Sequence, residues 1–121
     1  MGSRLATLGK EERLRKRSQY LKLYNEGTKV SGRHFYVYFL ENELDSSRLG
    51  ITVSRRVGKP VVRNRIKRLL REVFRKHKHL IHPSADLVIN ATKSSVGVSL
   101  SCLEKEFLQA VKSWNYKRRA T

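Results

Sequence analysis

The chain has 121 residues, 39% of them hydrophobic, and carries 27 Lys and Arg against 10 Asp and Glu, a formal charge of +17. That length supports one modest core and not two, and that charge places the chain among proteins that meet a polyanion, nucleic acid first. An anionic membrane ranks lower: no apolar run nears the 18 or so residues of a span, Met1–Lys10 lacks the apolar stretch of a signal peptide, and Ala6 stands where myristoylation after Gly2 needs Ser or Thr.

Residues 1–12 are polar and aperiodic, with Gly2, Ser3 and Gly9, and predict a mobile arm. Arg13, Arg15, Lys16 and Arg17 follow as a basic cluster, and Ser18 stands where it can cap a short helix running to Glu26 and ended by Gly27. On that helix Tyr20 and Tyr24 are spaced i, i+4 and share a face, while Leu21 and Leu23 turn elsewhere. Spacing alone leaves open whether the two rings are core or surface. Arg33–Leu40 reads as a strand with Phe35, Val37 and Phe39 toward the core. Tyr36 and Tyr38 then lie on the opposite face, free to stack on bases or to pack across strands. Glu41–Ser47 is a polar connection, and Leu49–Ser54 a second strand. With Ile51 and Val53 inward, Thr52 and Ser54 share a polar face suited to phosphate or sugar contacts.

The densest positive block, Ser54–Lys76, contains one acid, Glu72. From Pro60, well placed at a first helical position, Val62, Ile66, Leu69, Leu70 and Val73 recur at helical offsets and define an apolar face. Asn64, Arg68, Arg71 and Arg75 fall roughly opposite Ile66, Arg65 and Lys67 lie on the flanks, and Arg63 lies nearer the apolar edge. A charged face that only keeps a surface wet mixes signs. This one is nearly all cationic and repels itself unless a polyanion neutralises it.

His77, His79 and His82 cluster before Pro83, but only His79 and His82 have a helix-compatible spacing and no acid or thiol joins them, so the stretch predicts a frayed cationic helix end rather than a metal site. Asp86–Ala91 reads as a strand buried on both faces. Ser99 caps a last helix through Leu103, Phe107, Leu108, Val111 and Trp114, followed by a basic tail. The lone Cys102 predicts a small core residue in a reducing compartment.

The run Arg48-Leu49-Gly50-Ile51-Thr52-Val53-Ser54-Arg55-Arg56-Val57-Gly58, followed by Arg63-Asn64-Arg65-Ile66-Lys67-Arg68-Leu69-Leu70-Arg71-Glu72, resembles the signature of the bacterial ribonuclease P protein component. The likeness extends more loosely from Arg13 to about Trp114. It implies a cytoplasmic protein that binds a large catalytic RNA through Arg55, Arg56, Arg63, Asn64, Arg65, Lys67, Arg68 and Arg71, and lines a cleft for the single-stranded 5′ leader of precursor tRNA with Tyr20, Tyr24, Tyr36, Tyr38, Thr52 and Ser54. Tyr20 and Tyr24 stand where the family commonly has Phe, and Thr92 stands where a basic residue often follows the Asp86 strand, which leaves Lys93 as the only cation there. The implied enzyme is an endoribonuclease whose RNA subunit holds Mg²⁺.

This agrees with the chain's own acids, which are scattered and show no motif of a protein nuclease. The alternative is a ribosomal-type or chaperone-like RNA-binding protein, which accounts for the charge but not for the Arg-Asn-Arg helix after this strand. The element order predicts an α+β sandwich, a small mixed sheet with helices, as one RNA-binding domain over residues 13–116 between the arm and a tail at 117–121. Pattern alone makes the crossover between the Leu49 and Asp86 strands right-handed; the resemblance implies the left-handed βαβ crossover of the family.

Overall fold

The computed structural model describes residues 9–120; the greater part of the expected N-terminal arm lies outside them. Four strands, β1 (Thr28–Ser31), β2 (Phe35–Glu41), β3 (Arg48–Val53) and β4 (Ala85–Ala91), form one sheet in the order β1-β2-β4-β3. β2 pairs antiparallel with β1 and β4, whereas β3 and β4 are parallel and joined through helix α2 (Pro60–His77). α1 (Arg17–Glu26) precedes the sheet and α3 (Leu100–Ala120) follows it.

The main core lies between one sheet face and α2 with α3. β2 alternates as its sequence requires: Phe35, Val37 and Phe39 are buried in this layer and Tyr36 and Tyr38 stand on the other face. α2 contributes Ile66, Leu70, Val73 and Phe74, with Val62 and Leu69 at the margin, so the apolar face read from the sequence is the packed one. α3 brings Leu103, Phe107, Val111 and Trp114, the Trp114 ring stacked on Phe39 at 5.0 Å. Ser99 caps it, accepting from the Cys102 amide at 3.2 Å. The opposite sheet face is covered in part by α1, through a small cluster of Leu14, Leu23 and Val88 with Tyr20, Tyr38 and Leu40 against it.

Several local expectations are corrected. β1 was not legible, since Thr-Lys-Val-Ser is short and only Val30 is buried. Ser18 lies inside α1; the helix start is tied instead by Gln19, whose Oε1 accepts from the amides of Arg15 and Lys16 at 2.8 and 2.9 Å. Gly27 ends α1 in an extended conformation (φ −76°), not a left-handed one, and is needed because a Cβ there would stand 2.6 Å from the Leu23 carbonyl. Cys102 is exposed, one residue to the side of the buried Leu103. The His stretch does not fray: α2 runs on into a 3-10 turn at Lys78–Leu80, with His77 and Lys76 both held by Glu104. At the N-terminal side, Lys10–Glu12 is a 3-10 turn anchored by an ion pair between Glu12 and Lys78. Burial opposes charge on Glu12, but Lys78 and the Gly9 amide outweigh it and hold this carboxyl below its usual range. The basic residues expected as a tail continue α3.

Two polar ties fix the loops. Arg48 grips Asp86 at 2.7 and 2.8 Å, joining β3 to β4 on the α1 side, and Asn42 donates to the same carboxylate at 2.9 Å. The charge–charge hydrogen bond raises the Arg48 guanidinium above its ordinary value. Glu106 of α3 accepts from the amides of His34 and Phe35, which docks the β1–β2 turn. Beside β3, the Leu14 amide donates to the Leu49 carbonyl at 3.0 Å and Arg13 bridges Leu49 in parallel, laying the chain along that edge.

Replacing Ile66 or Leu70 by Ala is expected to lower unfolding stability by about 2–5 kcal/mol each, measured by denaturant titration. Arg48→Met strands a buried carboxylate and is expected to cost more than Arg48→Met/Asp86→Leu, which removes both charges. Thermal unfolding of the two variants checks that ranking.

Candidate nucleic-acid interface

The register aligns the outward residues of three strands into rows: Tyr36, Asn90 and Thr52; Tyr38, Val88 and Gly50; Leu40, Asp86 and Arg48. α1 packs against the second and third rows through Leu23 and Tyr20 and reaches the first through Tyr24. Tyr24, on the exposed rim of α1, meets Tyr38 edge to face at 5.0 Å, and Tyr36 meets Tyr38 at 6.1 Å. The Tyr24 hydroxyl donates to Asn90 Oδ1 at 3.3 Å. Lys29 Nζ sits 4.4 Å from the Tyr36 ring centre, a cation over an aromatic face. Three rings, an amide and a cation thus share one accessible patch, with exposed Thr52 and Ser54 continuing along β3.

Tyr20 does not join this cluster. Its ring lies on Gly50, where a Cβ would fall 2.5 Å from the hydroxyl, so glycine is what permits the contact. Burial, reinforced by Tyr24, raises the Tyr20 phenol above its usual value. Tyr20 forms one wall of a notch of ≈ 250 Å³ whose other lining includes Arg13, Ile51, Lys67 and Arg71. Through that notch the aromatic face adjoins the basic helix.

Along α2, Asn64, Arg65 and Arg68 are exposed, as are Arg55 and Arg56 in the 3-10 turn Arg55–Val57 that precedes it. Arg63 is partly covered and donates from Nε to the Gly58 carbonyl at 3.1 Å, which orders the helix entry. Arg71 and Arg75, expected opposite Ile66 on an open face, are both half-buried. Arg75 is paired with Glu72 at 2.6 Å, whereas Arg71 turns into the Tyr20 notch. Desolvation by burial, and secondarily the nearby Arg13, lowers the Arg71 guanidinium from its ordinary value. An anion entering the notch relieves the repulsion between the two arginines.

Sequence reasoning missed Lys29, because β1 was not recognised, and Asn90. The one available signal for Asn90 was an amide directly after the apolar run Leu87–Ile89. Thr92, where a cation was looked for, binds the His34 carbonyl at 2.9 Å and holds the strand exit to the β1–β2 turn, while Lys93 is exposed. Among the described residues no three His, Cys, Asp or Glu side chains converge as metal ligands, and no helix is long and apolar enough to cross a membrane.

The sequence model of the family described as Ribonuclease P matches residues 8–115. The ribonuclease P protein component of Syntrophus aciditrophicus is 49% identical over 85 residues, 70% of this chain and 71% of that protein; that of Thermotoga maritima is 44% identical over 80 residues, 66% of this chain and 68% of that protein. Among solved structures, the Thermotoga maritima RNase P protein superposes with a TM-score of 0.77 at 36% identity, covering 84% of this chain and 96% of its own. A Staphylococcus aureus RNase P protein gives 0.76 at 33%, covering 84% and 93%. The family model over residues 8–115, the similar relatives and the shared fold agree, and the chain belongs to the ribonuclease P protein family, as a subunit of that endoribonuclease.

Proposed function

We propose that the chain binds the catalytic RNA of ribonuclease P through the turn at Arg55 and Arg56 and the exposed side of α2, and holds the 5′ leader of precursor tRNA on the tyrosine face of the sheet, so promoting removal of the leader in the cytoplasm. The observation that carries this reading is the Tyr20 notch beside β3, where Lys67 and Arg71 of the cationic helix meet α1, whose next turn carries Tyr24 onto the ring patch with Tyr38 and Tyr36. Cations neutralise phosphates without regard to sequence, while rings hold unpaired bases and not duplex. An RNA lying across both elements is therefore recognised as a double-stranded or folded body with a single-stranded end.

Chemistry falls to the RNA in this proposal. Glu12, Glu72, Asp86, Glu104 and Glu106 are each engaged by a cationic or histidine side chain, and among the described residues no three His, Cys, Asp or Glu side chains converge; with the family resemblance, this supports assigning Mg²⁺ to the RNA subunit. The protein's work is to lower electrostatic repulsion within the complex and to fix the leader.

Arg65→Ala and Arg68→Ala are expected to weaken binding to the RNA subunit with the fold intact, each flattening the plot of log K against log salt by about 0.7–0.9 if it contacts one phosphate. Unchanged slope and affinity in a salt titration would return this face to solvent. Tyr24→Ala is expected to weaken holoenzyme binding to precursor tRNA by about 1–3 kcal/mol and to leave mature tRNA nearly unaffected, whereas Tyr20→Ala, which removes a ring packed on Gly50, is expected to act on stability. Paired titrations of both tRNAs at one salt concentration, with circular dichroism on the variant, make the test. Equal losses for both RNAs would remove the leader from this face.

A further inference from the structure

On the side of the sheet opposite α1, helix α3 and the 3-10 turn Lys78–Leu80 enclose a groove of ≈ 410 Å³. Its apolar lining is Leu80, Leu108, Val111 and the Tyr116 ring. Val111 is buried, whereas Leu80 is 45% and Tyr116 76% exposed, so two large apolar side chains of one groove stand in water. Leu80 follows the C-terminal end of α2, whose 18 residues place it about 27 Å along the axis from the turn at Arg55 and Arg56. The groove is therefore distinct from both RNA surfaces. Lys112 lines it, and Lys105 lies two turns earlier on the same side of α3; both are exposed, and neither has an acidic partner among the described residues. Asn115, one turn beyond Lys112, contributes to the wall a side-chain oxygen that is buried and accepts no hydrogen bond. An acceptor left in that state costs free energy that a donor brought from outside recovers.

We propose that this groove docks an acidic amphipathic helix of another protein, with a leucine or phenylalanine side chain seated among Leu80, Leu108 and Tyr116 and a carboxylate on Lys112. Apolar walls call for apolar anchors, as when an amphipathic helix lays one face into a groove. The unneutralised lysines call for an acid, and a second copy of this chain, itself at +17, is repelled. The first turn of a helix carries amides with no partner inside the helix and favours Asp and Glu. One such turn therefore supplies the donor for Asn115 and the charge for Lys112 together. RNA is the poorer match, because the groove is lined by a single lysine and no arginine. Docked here, a protein partner is held while RNA occupies α2 and the outer face of the sheet.

The probe is a synthetic helical peptide with leucine at i, i+3, i+4 and i+7 and glutamate elsewhere, compared with a twin carrying lysine in place of glutamate. Each is titrated into the isotopically labelled full chain, and the backbone amide signals of Leu80, Leu108, Lys112 and Asn115 are followed. The glutamate peptide is expected to shift these signals, with an affinity that falls about tenfold or more in Leu80→Ser and in Lys112→Glu. Holoenzymes reconstituted with either variant are expected to cleave precursor tRNA as the native one does, and thermal unfolding reports whether each variant folds. The proposal is overturned if the glutamate peptide shifts only α2 and the ring patch, if the lysine twin shifts the groove equally, or if affinity is unchanged in the folded variants. It is also overturned if a single-stranded oligonucleotide shifts the groove signals or the folded variants lose cleavage, either of which assigns the groove to RNA. Self-association in sedimentation that Leu80→Ser abolishes would assign it to a second copy and overturn the proposal as well.

Discussion

β4 is the constraint on which the two surfaces of this molecule depend. It is paired on both sides, antiparallel to β2 and parallel to β3, and buried on both faces. Because side chains alternate along a strand, one register sends Leu87 and Ile89 into the layer with α2 and α3 and Asp86, Val88 and Asn90 into the layer beneath α1. A slip of one residue would exchange the two sets, putting a carboxylate and an amide into the main core. Arg48, reaching across from β3 to Asp86, fixes that register with a directional contact.

The division of charge follows from packing. Several carboxylates serve as ties between elements: Glu106 docks the β1–β2 turn, Glu104 joins α3 to the end of α2, Glu12 joins the N-terminal turn to Lys78, and Asp86 joins β4 to β3. Along α2 itself the one acid is Glu72, which engages Arg75, and Glu104 reaches its last two residues, Lys76 and His77, so the run from Arg63 to Arg71 has no acidic partner among the described residues. Internal order and external attraction for a polyanion thus come from the same allocation of acids.

Much of this was legible in the chain. Period-2 alternation over Phe35–Phe39 and helical spacing from Val62 to Val73 assigned the buried sides of β2 and α2, because burial there is decided by side chains that no alternative arrangement could cover. The site was legible as residue types and less so as geometry. Tyr20 and Tyr24 share a helix face yet serve different contacts, one laid on Gly50 and the other on Tyr38, since helix spacing says nothing of what lies beneath. Arg71 reads as solvent-facing on a helical wheel but is drawn into a notch whose far wall, at Tyr20, is more than fifty residues away in sequence. Ser18 was misread because Gln19 performs the role its position suggested, whereas Gly27 ends α1 as expected, in an extended conformation and for a close backbone approach.

The strip at Arg13 and Leu14, bonded to the Leu49 carbonyl beside β3, has a consequence for solubility. A sheet of this order ends in two edge strands, each a row of amides and carbonyls able to recruit another chain. One edge, β1, is four residues long and carries Lys29. The other, β3, is met at Leu49 by the protein's own preceding segment, with an arginine at its head. Before that segment docks, a nascent or partly unfolded chain exposes β3, so the same contact that positions Tyr20 near the basic helix also guards the sheet against edge-to-edge self-association.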